Sequence, residues 1–237
     1  MMKTRLAHPL ISCICITSNR PQMLLKNIVS FDTQNYPNRE LVISYPKQEF
    51  ETRNLINHIK AISELNILTV ERETDESVGQ ARNKAIEICN GEYVCCWDDD
   101  DLYHYNRITH QFNSMQGNYY QAGILSKVLI YDTVEDKAYQ SYAHNWGGTL
   151  ICKKELIVRH PYGDSNSSED VTTLNSLDSR GYLLSISDAP FLYVLIRHHQ
   201  NATQRIYFQK FLNISNKLDA NSTRQIRQQY ETQINLV

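Results

Sequence analysis

Residues 77–101, SVGQARNKAIEICNGEYVCCWDDDD, decide how this chain folds. Val78, Ala81, Ala85, Ile88 and Cys89 recur at helical spacing and share one face. Asn90-Gly91 stops that helix, because both residues tolerate the left-handed conformation at a helix end. EYVCCW (92–97) follows as a short apolar run rich in strand formers, so the spacing predicts a buried strand. The strand ends abruptly in four consecutive aspartates, Asp98–Asp101. Carboxylates this close repel one another, so positive charge is expected beside them.

The flanking sequence repeats the same alternation. LISCICIT (10–17) is apolar on both faces, as a central parallel strand is. Pro21 opens a helix whose stripe is Leu24, Leu25, Ile28 and Val29. NYPNRE (35–40) is a turn, LVIS (41–44) a strand, 51–64 a helix and NILTV (66–70) a strand. Strands alternating with helices imply βαβ units, right-handed crossovers and a mostly parallel central sheet flanked by helices. Ligands bind beyond the carboxyl ends of the strands in such sheets, where Asp98–Asp101 would lie.

Beyond Leu102 the pattern changes. A helix is expected over 104–115 and a hairpin over 124–142, with ILSKVLIY and KAYQSY pairing around DTVED. GGTLICKKEL (147–156) reads as a strand entering a helix. Residues 167–181 start a helix capped by Ser167 or Ser168, with Gly181 as its stop. FLYVLIRH (191–198) is another strand, and 204–237 forms a helical tail. Residues 1–205 are taken as one α/β domain and 206–237 as a helical extension packed on it.

With 237 residues and a formal net charge of −2, the chain can bury a large core and carries no global field for nucleic acid or an anionic membrane. Its six cysteines lack zinc or redox spacing and read as reduced core residues of a cytosolic protein. Lys3 and Arg5 precede an apolar run, as in a signal peptide. The run is short and meets Asn19-Arg20-Pro21 without a small-residue cleavage site, so it is read as a strand. No stretch approaches the roughly 18 apolar residues of a spanning helix, which leaves at most peripheral membrane association.

Taken in order, these segments resemble family 2 glycosyltransferases of the GT-A fold. ISCICITSNRP (11–21) resembles the family's first strand and its end, with Thr17, Asn19 and Arg20 in place. NYPNREL resembles the approach to the second strand, and residues 77–101 the Ala-Arg-Asn helix leading into the Asp-x-Asp motif. GGTLICKKEL resembles the acceptor-side strand, SSED (167–170) the Glu-Asp motif, and RHHQNAT (197–203) the late Arg-His-x-x-Asn-x-Thr segment. The resemblance covers roughly residues 10–205 and implies a small antiparallel element on the acceptor side. One departure is clear. The family's second strand ends in an acidic segment whose first Asp contacts the nucleotide base, whereas this chain reads VISYPKQEF (42–50). Tyr45 stands at that place; its ring could stack on the base, or the donor is held differently or has been lost.

The resemblance implies inverting transfer from a nucleotide-diphosphate sugar, a UDP-sugar first of all, to a glycan or lipid-linked acceptor. Charge building on the diphosphate calls for Mn²⁺ or Mg²⁺, which prefer hard oxygen ligands. Asp100 would be the direct ligand, Asp98 a holder of ribose or a metal-bound water, and His198 a metal or diphosphate contact. Thr17, Asn19, Arg20, Tyr45, Arg82, Asn83, Asp98, Asp99 and Arg197 would hold the donor. Asp170, with Glu169 beside it, would be the base that takes the acceptor's proton. Trp146, Gly147 and Gly148 would line the acceptor side. The rivals are an inactive carbohydrate- or nucleotide-binding relic and a nucleotidyltransferase. The latter needs a glycine-rich phosphate loop after strand one, where this chain has Thr17-Ser18-Asn19-Arg20-Pro21. The expected location is the cytoplasm, at the inner face of the membrane if lipid-linked acceptors are used.

Overall fold

The computed structural model describes residues 8–117, 119–199, 201 and 205–235. The alternation read from the sequence is present through the first half: β1 (Ile11–Ile16), α1 (Pro21–Asp32), β2 (Arg39–Pro46), α2 (Phe50–Ile62), β3 (Ile67–Arg72), α3 (Val78–Ile88) and β4 (Tyr93–Cys96). These strands pair in parallel, β1 lying between β4 and β2, with β3 outside β2. Every residue of β1 is buried, as a strand covered on both faces requires. Cys13 and Cys15 point into one layer with Leu24, Ile28 and Phe31 of α1. Ile14 and Ile16 point into the other with Ala81, Ala85 and Ile86 of α3. All six cysteines are free and buried.

After the aspartates come β5 (Leu102–Tyr103), α4 (Arg107–Met115), β6 (Ala122–Leu125), β7 (Leu129–Asp132), β8 (Lys137–Gln140), β9 (Ile151–Lys153) and α5 (Lys154–Arg159). Then follow α6 (Val171–Ser179), β10 (Leu183–Ile186), β11 (Tyr193–Arg197), α7 (Arg205–Asn213), β12 (Asn216–Lys217) and α8 (Ala220–Asn235). The main sheet has seven strands in the order β10-β6-β9-β4-β1-β2-β3, with only β9 antiparallel to its neighbours. A second sheet of five strands, β12-β8-β7-β11-β5, is antiparallel except at β7–β11.

Two expectations need correction. The run 124–131 is not one hairpin strand: β6 belongs to the main sheet and β7 to the second. Ser126 and Lys127 break the apolar run there. The Ser126 N–H bonds Ile186 O at 2.8 Å, and two residues on Val128 is held by Ser141, so the chain steps between sheets. The tail is not purely helical either. β12 splits it and pairs with β8, while Ile226 and Tyr230 of α8 pack on Tyr131, Ala138 and Ile196.

Between the two sheets lies a buried cation. Arg107 is fully buried, its guanidinium carbon 5.2 Å from the Trp97 ring centroid, 4.7 Å from Tyr103 and 5.2 Å from Tyr193. It donates to Gln111 Oε1 at 3.1 Å and to Gly148 O at 3.2 Å. Three aromatic faces and two oxygens replace the water it has lost. Arg107→Ala removes these partners and opens a cavity, so urea unfolding should show a loss of about 3–5 kcal/mol.

Candidate active site

The aspartates do not all face solvent. Successive residues past β4 point in different directions, and all four find partners, Asp99 and Asp100 sharing Arg20. Asp99 is buried, accepts a hydrogen bond from Thr17 Oγ1 at 2.6 Å and pairs with Arg20 Nη2 at 2.7 Å. Asp100 receives Arg20 Nη1 at 3.0 Å and His198 Nε2 at 3.1 Å, both at Oδ2. Asp101 is buried and accepts from the Tyr193 hydroxyl and from the Ile196 N–H at 2.8 Å. Asp98 is the most open, its side chain 25% exposed, and meets Arg82 Nη2 at 2.8 Å. Its carbonyl is pinned by Asn27 Nδ2 and Tyr103 Oη, each at 2.7 Å.

A second acidic wall faces Asp98. Arg82 also pairs with Glu169 Oε1 at 3.2 Å, so one buried guanidinium joins α3, the end of β4 and the loop before α6. That loop is moored to the start of α3. Ser77 Oγ donates to Asp164 Oδ1 at 2.7 Å, Val78 N–H to Asn166 Oδ1 at 3.0 Å and Gly79 N–H to Ser165 O at 3.1 Å. Ser168 takes a φ of +59°, an uncommon state for a residue with a side chain, just before Glu169. The helix cap differs from expectation. Asp170, not Ser167 or Ser168, stands at the N-cap of α6, and its side chain caps nothing. The carboxylate turns instead toward Gly147.

Burial sets the charge states. It pushes Asp99 up to about 7, helped by Asp100 and opposed by Arg20, and drives Asp101 well above the usual carboxylate range. Burial pushes Asp100 the same way, but the His198 hydrogen bond and Arg20 outweigh it and hold Asp100 low. Glu169 and Asp170 are both raised by burial against the pull of Arg82. A helix N-terminus favours an anion beside it, but at Asp170 desolvation wins.

The model of glycosyl transferase family 2 matches residues 12–166, more than half of the chain. The chain belongs to glycosyl transferase family 2. Among curated relatives it is 27% identical over 107 residues to the UDP-Glc:alpha-D-GlcNAc-diphosphoundecaprenol beta-1,3-glucosyltransferase WfaP of Escherichia coli, covering 45% of this chain and 41% of that one. It is 24% identical over 146 residues to the GalNAc(5)-diNAcBac-PP-undecaprenol beta-1,3-glucosyltransferase of Campylobacter jejuni, covering 62% and 40%. The match thus spans about two fifths of these relatives' length. In structure it resembles the mannosyltransferase PcManGT from Pyrobaculum calidifontis in complex with GDP-Man and Mn²⁺, with a TM-score of 0.65, 17% identity and coverage of 83% and 59%. That likeness shows the GT-A fold expected from the sequence.

Within this family 2 frame, the expected residues divide. Thr17, Arg20, Arg82, Asp98, Asp99, Asp100, His198, Glu169, Asp170, Gly147 and Gly148 converge. Asn19 is exposed beside them, with a φ of +53° that turns the chain into α1. Four residues do not gather. The Tyr45 ring is buried and its hydroxyl donates to Glu71 Oε1 at 3.0 Å, so no face is open for a base. Arg197 is spent on Asp132 of the neighbouring strand β7. Asn83 clamps the backbone of residue 162 from both sides, at 2.9 and 3.0 Å. Trp146 is 9% exposed, its ring packed edge-on against Phe211, His144 and Tyr142. Thr203 lies outside the described residues.

Other site residues escaped the sequence reading. Arg72 donates to Thr17 O at 3.1 Å beneath the cluster, and Glu49 ties Ser18 Oγ at 2.9 Å to Thr52 Oγ1 at 2.8 Å. Tyr193 and Arg107 support from below. Only the position of Arg72 at the end of β3 was a usable signal. Arg82→Ala leaves two partly buried carboxylates without their cation. Because Asp98 is one-quarter exposed, the low end of the usual range applies, and chemical unfolding should register about 3 kcal/mol.

Proposed function

We propose that this chain is an inverting, metal-assisted glycosyltransferase that moves a sugar from a nucleotide-diphosphate donor, UDP-linked, to a glycan or lipid-linked acceptor. The observation that carries this reading is the facing of two carboxylate sets across the Gly147–Gly148 turn. Asp98 lies against Gly148 and Asp170 against Gly147, and Arg82 joins Asp98 to Glu169, the neighbour of Asp170. The two relatives named above act, as their names say, on undecaprenyl-diphosphate-linked substrates, which supports a lipid-linked acceptor here. No helix among the described residues is long and apolar enough to cross a membrane, which fits work at the cytoplasmic face by peripheral association.

The donor set fits a divalent cation. Asp98 and Asp100 offer hard oxygens and His198 a nitrogen, the choice that suits Mn²⁺ or Mg²⁺. Among the described residues no group of three His, Cys, Asp or Glu could hold an ion unaided. A site completed by the diphosphate oxygens would behave so. When bound, the ion would neutralise charge growing on the departing diphosphate. The remaining work belongs to the protein. Thr17 and Arg20 fix Asp99 and Asp100 at the donor side, and Arg82 keeps Asp98 and Glu169 from repelling. Asp170, raised in proton affinity by burial, takes the proton of the acceptor hydroxyl as its oxygen bonds to the anomeric carbon. The bond to the diphosphate breaks on the opposite face, which inverts the configuration.

Calorimetric titration with UDP and GDP, in Mn²⁺ and again in EDTA, tests the donor side. Metal-dependent binding of one nucleotide is expected, and Asp100→Ala should abolish the metal dependence. Equal affinity in both buffers removes the metal role. Asp170→Asn should abolish transfer with nucleotide affinity unchanged; surviving transfer refutes the base. The pH dependence follows in sign. A base works unprotonated, and the Asp170 carboxyl is raised, so activity at saturating donor should fall as pH drops through a midpoint above that of an ordinary aspartate.

A further inference from the structure

Gly147 and Gly148 were expected to contact acceptor, but their surroundings assign them another task. A Cβ built on Gly147 would overlap the Asp170 carboxylate, standing 2.6 Å from Cγ and 3.1 Å from Cβ. The overlap with Cγ matters most: turning the carboxylate about χ2 leaves Cγ in place, so rotation about χ1 must carry the whole carboxylate off the glycine, while the 3.1 Å contact with Cβ asks for a give of only a few tenths of an ångström. A Cβ on Gly148 would stand 2.8 Å from Asp98 Oδ2 and 2.8 Å from Tyr193 Oη. Neither glycine is needed for its backbone conformation, since the positive-φ glycines are Gly117 and Gly181. What the position demands is space.

The turn itself is held firmly. Thr149 Oγ1 and N–H donate to Trp146 O at 2.7 and 2.8 Å, Leu150 N–H to Gly147 O at 3.1 Å, and buried Arg107 to Gly148 O at 3.2 Å. The carboxylates, not the turn, would have to yield. We infer that Gly147 is a positioning residue for Asp170 and Gly148 for Asp98, the two adjacent bare Cα atoms setting the offset between the proton acceptor and the metal-side carboxylate. This inference rests on the base and metal roles proposed above.

The test compares Gly147→Ala, Gly148→Ala and Asp170→Asn for two readouts. One is Mn²⁺-dependent UDP or GDP affinity; the other is turnover of UDP-glucose, UDP-N-acetylglucosamine and GDP-mannose. A misplaced base should lower kcat by about 100-fold in Gly147→Ala while nucleotide affinity stays within about twofold. Gly148→Ala should show the reverse emphasis, weakening nucleotide affinity by about tenfold. General damage to the turn would move both readouts in both variants and overturns the inference, as does wild-type turnover in Gly147→Ala. If Asp170→Asn retains turnover, the base reading fails instead. A donor-independent check uses urea unfolding of Gly147→Ala with Asp170 present and with Asp170→Gly. Relief of the alanine's destabilisation by Asp170→Gly is expected; an equal loss in both backgrounds overturns the contact.

Discussion

Two guanidinium groups hold this site together. Six carboxyl groups, Asp98–Asp101, Glu169 and Asp170, converge around Arg20 and Arg82 in surroundings that are largely buried. Like charges at such separations repel strongly where water is scarce. The fold meets this in two ways. Arg20 spans Asp99 and Asp100, and Arg82 spans Asp98 and Glu169. Asp99 and Asp101, the deepest carboxyls, have their proton affinity raised by burial. Asp100 is held low instead, by the His198 hydrogen bond and Arg20.

The scaffold serves the same constraint. Asp98 is pinned through its carbonyl by α1 and Tyr103, so its side chain emerges at a set angle. Asp101 is a post rather than a ligand: by accepting from Tyr193 and Ile196 it fastens the end of the acidic run to β11, the strand that delivers His198. Arg107 lies behind, held by aromatic faces, and supports the Gly147–Gly148 turn from the far side. Main sheet, second sheet and the α3–α6 mooring each control one group of the site.

Much of this was legible in the sequence, for reasons that also mark where it stops. β1 to β4 and their helices were readable because burial on both faces writes continuous apolar runs and long helices write a 3.6-residue period. The run 124–131 misled because Ser126 and Lys127 change sheets without a glycine or proline to announce it. Asp170 was singled out by resemblance, but nothing in the sequence marked it as an N-cap residue whose side chain makes no cap hydrogen bond. Arg197 and Trp146 looked available because one dimension shows neither Asp132 across the ladder nor Phe211 arriving from the tail. Tyr45 failed for a related reason. A ring at a strand end can face out or in, and only the register with Glu71 shows that it faces in.

The charge balance bears on how a donor would be taken. With Arg20 and Arg82 already paired, the site has no surplus of positive charge to offer a diphosphate. A bare nucleotide would meet Asp98 and Asp100 and be repelled. A divalent ion alone would find two partly buried carboxylates and an imidazole, too few hard ligands for tight binding. Each lacks what the other brings. On the proposed reading, ion and diphosphate should therefore bind as a pair, each raising the affinity for the other by the same factor, as linkage requires. Base recognition then carries less of the burden of affinity. On that reading, a chain with this balance and Tyr45 at the end of its second strand would hold a donor chiefly by its phosphates.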